Sequence, residues 1–193
     1  GTVRVAGQEH GPLRWEWAPA GATLDALEAV TQVVLLVFLR TGPPDLLPGG
    51  DLRPDEIIRH DVASMPWAAN PVDDGPPTCK VKLLRLHPVT GELHAVVEDG
   101  TAPYSVYEFH DCVEEVFLLE GDLTLGNSGE MLPDSYFWRP PYITHGMSTS
   151  RAGCLYYVWC DSALVNHRTD AMTRTPKENR AQLARARAVT ESA

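Results

Sequence analysis

From residue 79 to residue 161 the chain reads as a series of short alternating runs broken by Gly, Asn and Pro. Residues 79–87 alternate apolar and polar side chains, Pro88-Val89-Thr90-Gly91 interrupts them, and 92–98 form a second run. Past a turn at 97–101, residues 104–110, 114–119, 123–125, 135–139 and 154–161 continue the series. Alternation places every second side chain on one face, as a half-buried strand requires. Strand-length runs with turn signals about every eight to twelve residues predict an all-β sandwich or barrel. With 193 residues the chain can bury one substantial core, so one domain with appendages is expected.

The two ends have a different texture. Thr23-Leu24-Asp25-Ala26-Leu27-Glu28 opens like a helix, with Thr23 as N-cap and acids in the first turn. It runs into Val33-Val34-Leu35-Leu36-Val37-Phe38-Leu39, a run suited to a buried strand, and pattern alone leaves helix against strand open over 24–40. An exposed edge of this kind is costly, so burial within the barrel sheet or across a homodimer is expected. The run is too short to span a bilayer, and no membrane association is expected. Residues 41–50, rich in Pro and Gly, predict a loop, and 54–60 a short helix. At the far end Thr175-Pro176 starts a helix that 177–189, rich in Ala, Arg, Gln and Leu, sustain. Its few apolar positions make it a surface helix. The expected division is an N-terminal extension over 1–60, a barrel over 61–165 and a C-terminal tail with a helix over 166–193.

Within the strand series stands Glu108-Phe109-His110-Asp111-Cys112-Val113-Glu114-Glu115, with Gly121 after it and His145 further on. Residues two apart on a strand share a face, so Glu108 and His110 both point into the barrel. Glu114 follows a short turn on the next strand, and two or three further strands fit before His145. Imidazole and carboxylate together suit divalent iron, zinc, manganese or nickel. Ligands converging from neighbouring strands leave a coordination position open, which is the layout of a catalytic site.

These residues resemble the cupin signature. The first cupin motif ends in His-x-His, three or four residues, Glu, six residues, Gly; here Glu108-x-His110, three residues, Glu114, six residues and Gly121 stand in that register. The second motif, a glycine and a proline before the last histidine ligand, is matched by Gly129, Pro133 and His145. Met65-Pro66-Trp67, Gly75, Lys82-Leu83-Leu84-Arg85 and Gly153-Cys154-Leu155 are similar to the branch with zinc-containing anti-sigma factors and acetylacetone-type and dihydroxyacetophenone-type dioxygenases. The resemblance covers about residues 61–165. It implies an all-β cupin, a double-stranded β-helix or jelly-roll barrel, with a metal held by His110, Glu114 and His145. Its register against Gly121 selects Glu114 over Glu115. The family's first histidine is Glu108 here, and three readings follow. Glu108 is a fourth ligand, or a general base beside the metal, or it points elsewhere and leaves a two-His-one-carboxylate triad, the arrangement of non-haem iron(II) oxygenases.

Composition narrows the function. A net charge of -10 argues against a nucleic-acid surface, which needs a basic patch. Cys79, Cys112, Cys154 and Cys160 form no C-x-x-C pair, so free thiols and a cytoplasmic location are expected. His10, His60, His87, His94 and His167 receive no role. Among the aromatics, Tyr104 is in register with Glu108 and His110 and is the first candidate to face the reaction. Arg139, on the strand leading to His145, is a candidate to hold a substrate carboxylate or enolate, with a structural ion pair as its plainer reading. Cys112 reads as a loop thiol. The expectation is a metal-dependent enzyme acting on a small enolisable or phenolic molecule, first an iron(II) dioxygenase. A redox-neutral cyclase, isomerase or lyase comes second, and a non-enzymatic sensor third.

Overall fold

The structure, a computed structural model, describes residues 1–19, 21–39, 57–70, 78–126, 128–170 and 172–191. The chain divides into two compact units, Gly1–Pro66 and Trp67–Ala193. In the first unit, β1 (Val3–Val5) and β2 (Gln8–His10) form a hairpin through Ala6 and Gly7, both at positive φ, as a tight two-residue turn requires. β1 also pairs with β4 (Leu27–Ala29), and β3 (Arg14–Trp17) pairs with β5 (Ile58–Asp61), which leads into a 3₁₀ turn at Val62–Ser64.

Where pattern leaves helix against strand open over 24–40, Leu27–Ala29 extends to pair with β1, and tertiary pairing overrides a weak local propensity. Two expectations are corrected. Residues 33–39 form no strand and join neither barrel sheet; Val34, Leu35, Val37 and Leu39 are exposed. Both edges of β1 are already taken by β2 and β4. The short helix expected over 54–60 gives way to β5 at its end, where Trp15 and His60 stack across the β3–β5 pair. Residues 51–56 and the loop expected at 41–50 lie outside the described residues.

The second unit is the barrel. Its strands are β6 (Ala68–Ala69), β7 (Lys80–Leu86), β8 (Leu93–Asp99), β9 (Tyr104–Phe109), β10 (Glu114–Gly121), β11 (Leu123–Leu125), β12 (Gly129–Met131), β13 (Tyr136–Arg139), β14 (His145–Thr149), β15 (Cys154–Cys160) and β16 (His167–Thr169). They form two sheets, a six-stranded one in the order β13-β10-β15-β8-β7-β6 and a five-stranded one in the order β12-β11-β14-β9-β16. Every pairing is antiparallel, and side chains of both sheets line one shared interior. This is the double-stranded β-helix that the resemblance implies. The inward side chains Val81, Ala95, Val97, Val116, Leu118 and Val158 form the core.

Gly121 ends β10 for a steric reason. It sits at φ +79°, and a Cβ there would overlap the Gly153 carbonyl oxygen on the neighbouring chain segment. Several polar residues on and beside β7, β8 and β15 are held by one another. Arg85 donates to Glu92 (2.7 Å), Trp159 donates to Glu92 (3.1 Å), and His94 Nδ1 meets the Tyr157 hydroxyl (2.7 Å). α1 (Pro176–Glu191) closes the chain behind a capping box, in which Glu178 N–H donates to Thr175 Oγ1 and Thr175 N–H donates to the Glu178 carboxylate. No helix among the described residues is long and apolar enough to cross a membrane.

Candidate metal centre

β9 and β14 build the site between them. Their antiparallel register sets His145 directly opposite Glu108. His110 follows β9 by one residue, on the face it shares with Glu108. One ligand-type atom from each of Glu108, His110 and His145 lies within 4.8 Å of the other two. The Nε2 atoms of His110 and His145 are 2.9 Å apart. His110 Nδ1 lies 3.1 Å from the Val165 carbonyl oxygen, which can only accept, so Nδ1 carries a proton, and Nε2 is the atom that offers a lone pair whenever the ring is neutral. A carbonyl behind a ring nitrogen is how metal-binding histidines are commonly oriented.

The other candidates surround this group. Tyr104 donates its hydroxyl proton to Glu108 Oε2 at 2.8 Å, two residue pairs along the same strand face. Glu114 opens β10 with Oε2 4.0 Å from His110 Nε2, and the same oxygen accepts from Arg139 Nη1. That ion pair follows from the β10–β13 register, where Glu114 and Arg139 are direct partners. The Arg139 guanidinium also lies over the Phe137 ring at 4.4 Å. Cys112, between His110 and Glu114, is buried beside Cys160 and points to no ligand role. His94 is set apart, since its neighbour Ala95 is the one that lines the interior.

The electrostatics follow from burial. Glu108 is held above the usual carboxylate range because burial penalises its charge, against the Tyr104 hydrogen bond and the nearby His110. His145 is pushed far below the usual imidazole range, first by burial and then by the charges of Arg139 and His110. It is therefore neutral, the state in which imidazole binds a metal. The backbone here is strained as well. Tyr142 (φ +70°) and Met147 (φ +57°) flank His145, and such left-handed residues cost roughly 1–3 kcal/mol each. Between them Gly146 sits at φ +144°, where a Cβ would overlap the Val106 carbonyl oxygen.

A cavity of about 160 Å³ opens onto these groups. Glu108, His110, Glu114, His145, Tyr104 and Arg139 all line it, and most of the remaining wall is apolar, including Val81, Ala95, Val97, Val116 and Val158. Its size resembles the roughly 150 Å³ cavity that admits benzene. Of the aromatic residues, Phe137 and Tyr156 also face it, while Tyr136 and Trp138 are exposed. Sequence reasoning passed over Gly146, the Val165 carbonyl and Asn166, which also lines the cavity. Only Gly146 carried a signal, a glycine directly after the last histidine.

The model of a domain of unknown function, DUF4437, matches residues 48–167. No curated protein matches the chain. Among solved structures, a dioxygenase candidate from Nostoc punctiforme superposes with a TM-score of 0.68 at 16% identity, over 89% of this chain and 64% of its own. This chain thus spans less than two thirds of that protein's length. An acetylacetone dioxygenase from Acinetobacter johnsonii gives a TM-score of 0.42 at 15% identity, over 53% of this chain and 78% of its own. The polyketide cyclase RemF from Streptomyces resistomycificus gives a TM-score of 0.45 at 17% identity, over 56% of this chain and 79% of its own.

Proposed function

The chain belongs to the DUF4437 family and folds as a cupin, and we propose that it is a metal-dependent enzyme acting on a small organic molecule. The observation that carries this reading is the convergence of Glu108, His110 and His145 on the wall of a small, largely apolar cavity. The residues fit a divalent ion. The Val165 carbonyl holds His110 by Nδ1 and leaves Nε2 as the atom for the ion, His145 is neutral, and a carboxylate completes the set. Two imidazoles and one carboxylate favour iron(II), with zinc, manganese or nickel as alternatives. Glu114 stands next to them as a fourth candidate ligand, balanced by Arg139. Such an ion, when bound, supplies Lewis acidity toward an enolate or phenolate oxygen and, as iron(II), redox capacity.

The chain's own residues set what it admits. The cavity volume limits the substrate to about the size of a single ring or a short diketone. Tyr104 holds Glu108 at one oxygen. Arg139 has five N–H donors, so its bond to Glu114 leaves capacity for a substrate oxygen. An oxygenase acting on enolisable or phenolic substrates is the first assignment.

A redox-neutral cyclase, isomerase or lyase is the second, and one observation favours it. Glu108 is a buried carboxyl with a raised proton affinity, as a group that exchanges protons needs. Oxygen uptake by the iron-loaded protein, with β-diketones and catechols offered, separates the two. Substrate-dependent uptake is expected. Anaerobic turnover with the metal retained would replace the oxygenase reading with the redox-neutral one.

A further inference from the structure

Asn179 lies in the first turn of α1 and is fully buried, at 0% exposure. Its Nδ2 donates to the Tyr142 carbonyl oxygen at 2.9 Å and to Thr144 Oγ1 at 2.7 Å. The Tyr142 carbonyl can only accept, so the amide nitrogen must be the atom that faces the turn. Thr144 Oγ1 in turn donates to the Arg174 carbonyl oxygen at 3.2 Å, just ahead of the helix. The Tyr142 N–H donates to the His110 carbonyl oxygen at 2.7 Å. One end of this turn is therefore tied to His110, and the other runs directly into His145.

We infer that Asn179 is a positioning residue for the metal centre, fixing the turn at 142–144 and with it the spacing and aim of His110 and His145. The inference rests on the metal-binding reading above. Two further contacts of the helix converge on the same place. The Arg180 guanidinium lies over the Tyr142 ring at 4.7 Å, and Arg187 bonds Asp111, the residue after His110, at 3.0 Å. Tyr142 sits in a left-handed conformation that a tyrosine adopts only when its surroundings hold it there. A plainer role, in which Asn179 only anchors the helix, predicts a metal affinity that its variants leave unchanged. Its Oδ1 meets no hydrogen-bond partner among the described residues, so an apolar side chain of similar size would suit that burial better. The two donors account for the amide.

The test uses the full chain with cobalt(II) as a spectroscopic probe. Affinity and d–d absorption are measured for the wild type, Asn179→Ala, Thr144→Val and the double variant, alongside circular dichroism and thermal melting. Asn179→Ala should remain folded, bind cobalt about 10–100-fold more weakly and show an altered d–d spectrum. Thr144→Val should move in the same direction, and the double variant should be no weaker than the weaker single. A folded Asn179→Ala with wild-type affinity and spectrum overturns the inference. If that variant does not fold, an unchanged Thr144→Val does so instead. A wild type that binds no cobalt removes the metal reading together with this one; a binding wild type with unaffected variants removes this one alone.

Discussion

Glu108 stands at the junction of three influences: the Tyr104 hydroxyl, the facing His145 and a buried setting that resists its charge. If it is a ligand, Glu108→Gln should lose most metal occupancy by elemental analysis, and Glu108→His should retain it, because imidazole can take the same position. Full occupancy with lost turnover in Glu108→Gln would make it a base beside the metal instead. Tyr104→Phe removes the donor to Glu108 Oε2 and should weaken metal binding about 10–100-fold, checked by titration calorimetry. The sharing of one face by Glu108 and His110 was legible in the sequence because strand periodicity is strict. The partnership of Asn179 with the turn before His145 was not, since nothing local in a helix reveals what its first turn will meet across the fold.

At the scale of elements, the β9–β14 pair does most to assemble the site. Gly146 permits it, because a side chain there would strike the Val106 carbonyl and occupy an unfavourable φ. Gly146→Ala should therefore destabilise the barrel by about 3 kcal/mol or more, read from urea denaturation. Leu118→Ala, on the fully buried centre of β10, should cost about 2–5 kcal/mol and leave the ligands in place. β10 was legible because buried and half-buried residues alternate from Glu115 to Leu119, a period of two, whereas β7, β8 and β15 show no strict alternation in burial and were legible as apolar-rich runs between turn signals. β14 was not, since His-Gly-Met-Ser-Thr has no apolar alternation and owes its extension to β9 and β11. β4 stays open between helix and strand in the sequence for the related reason that its extension comes from pairing with β1 and not from its composition.

For the whole molecule, the cavity links fold to chemistry. Val158→Phe should fill much of its interior, abolishing turnover of ring-sized substrates while metal occupancy persists. Loss of both together would mean that the cavity and the metal centre cannot be separated in this way. The barrel was foreseeable because its strand series and its ligand spacing agree. Within the N-terminal unit the patterns conflicted, and short strands pair there at long sequence separation, with β5 standing at the end of the helix expected over 54–60. The most direct measurement is elemental analysis of purified protein, followed by titration with iron(II), zinc, manganese and nickel under anaerobic conditions. About one divalent ion per chain is expected from a single site, lost in His145→Ala. No binding of any of these ions, or unchanged occupancy in His145→Ala, would contradict the assignment of this centre.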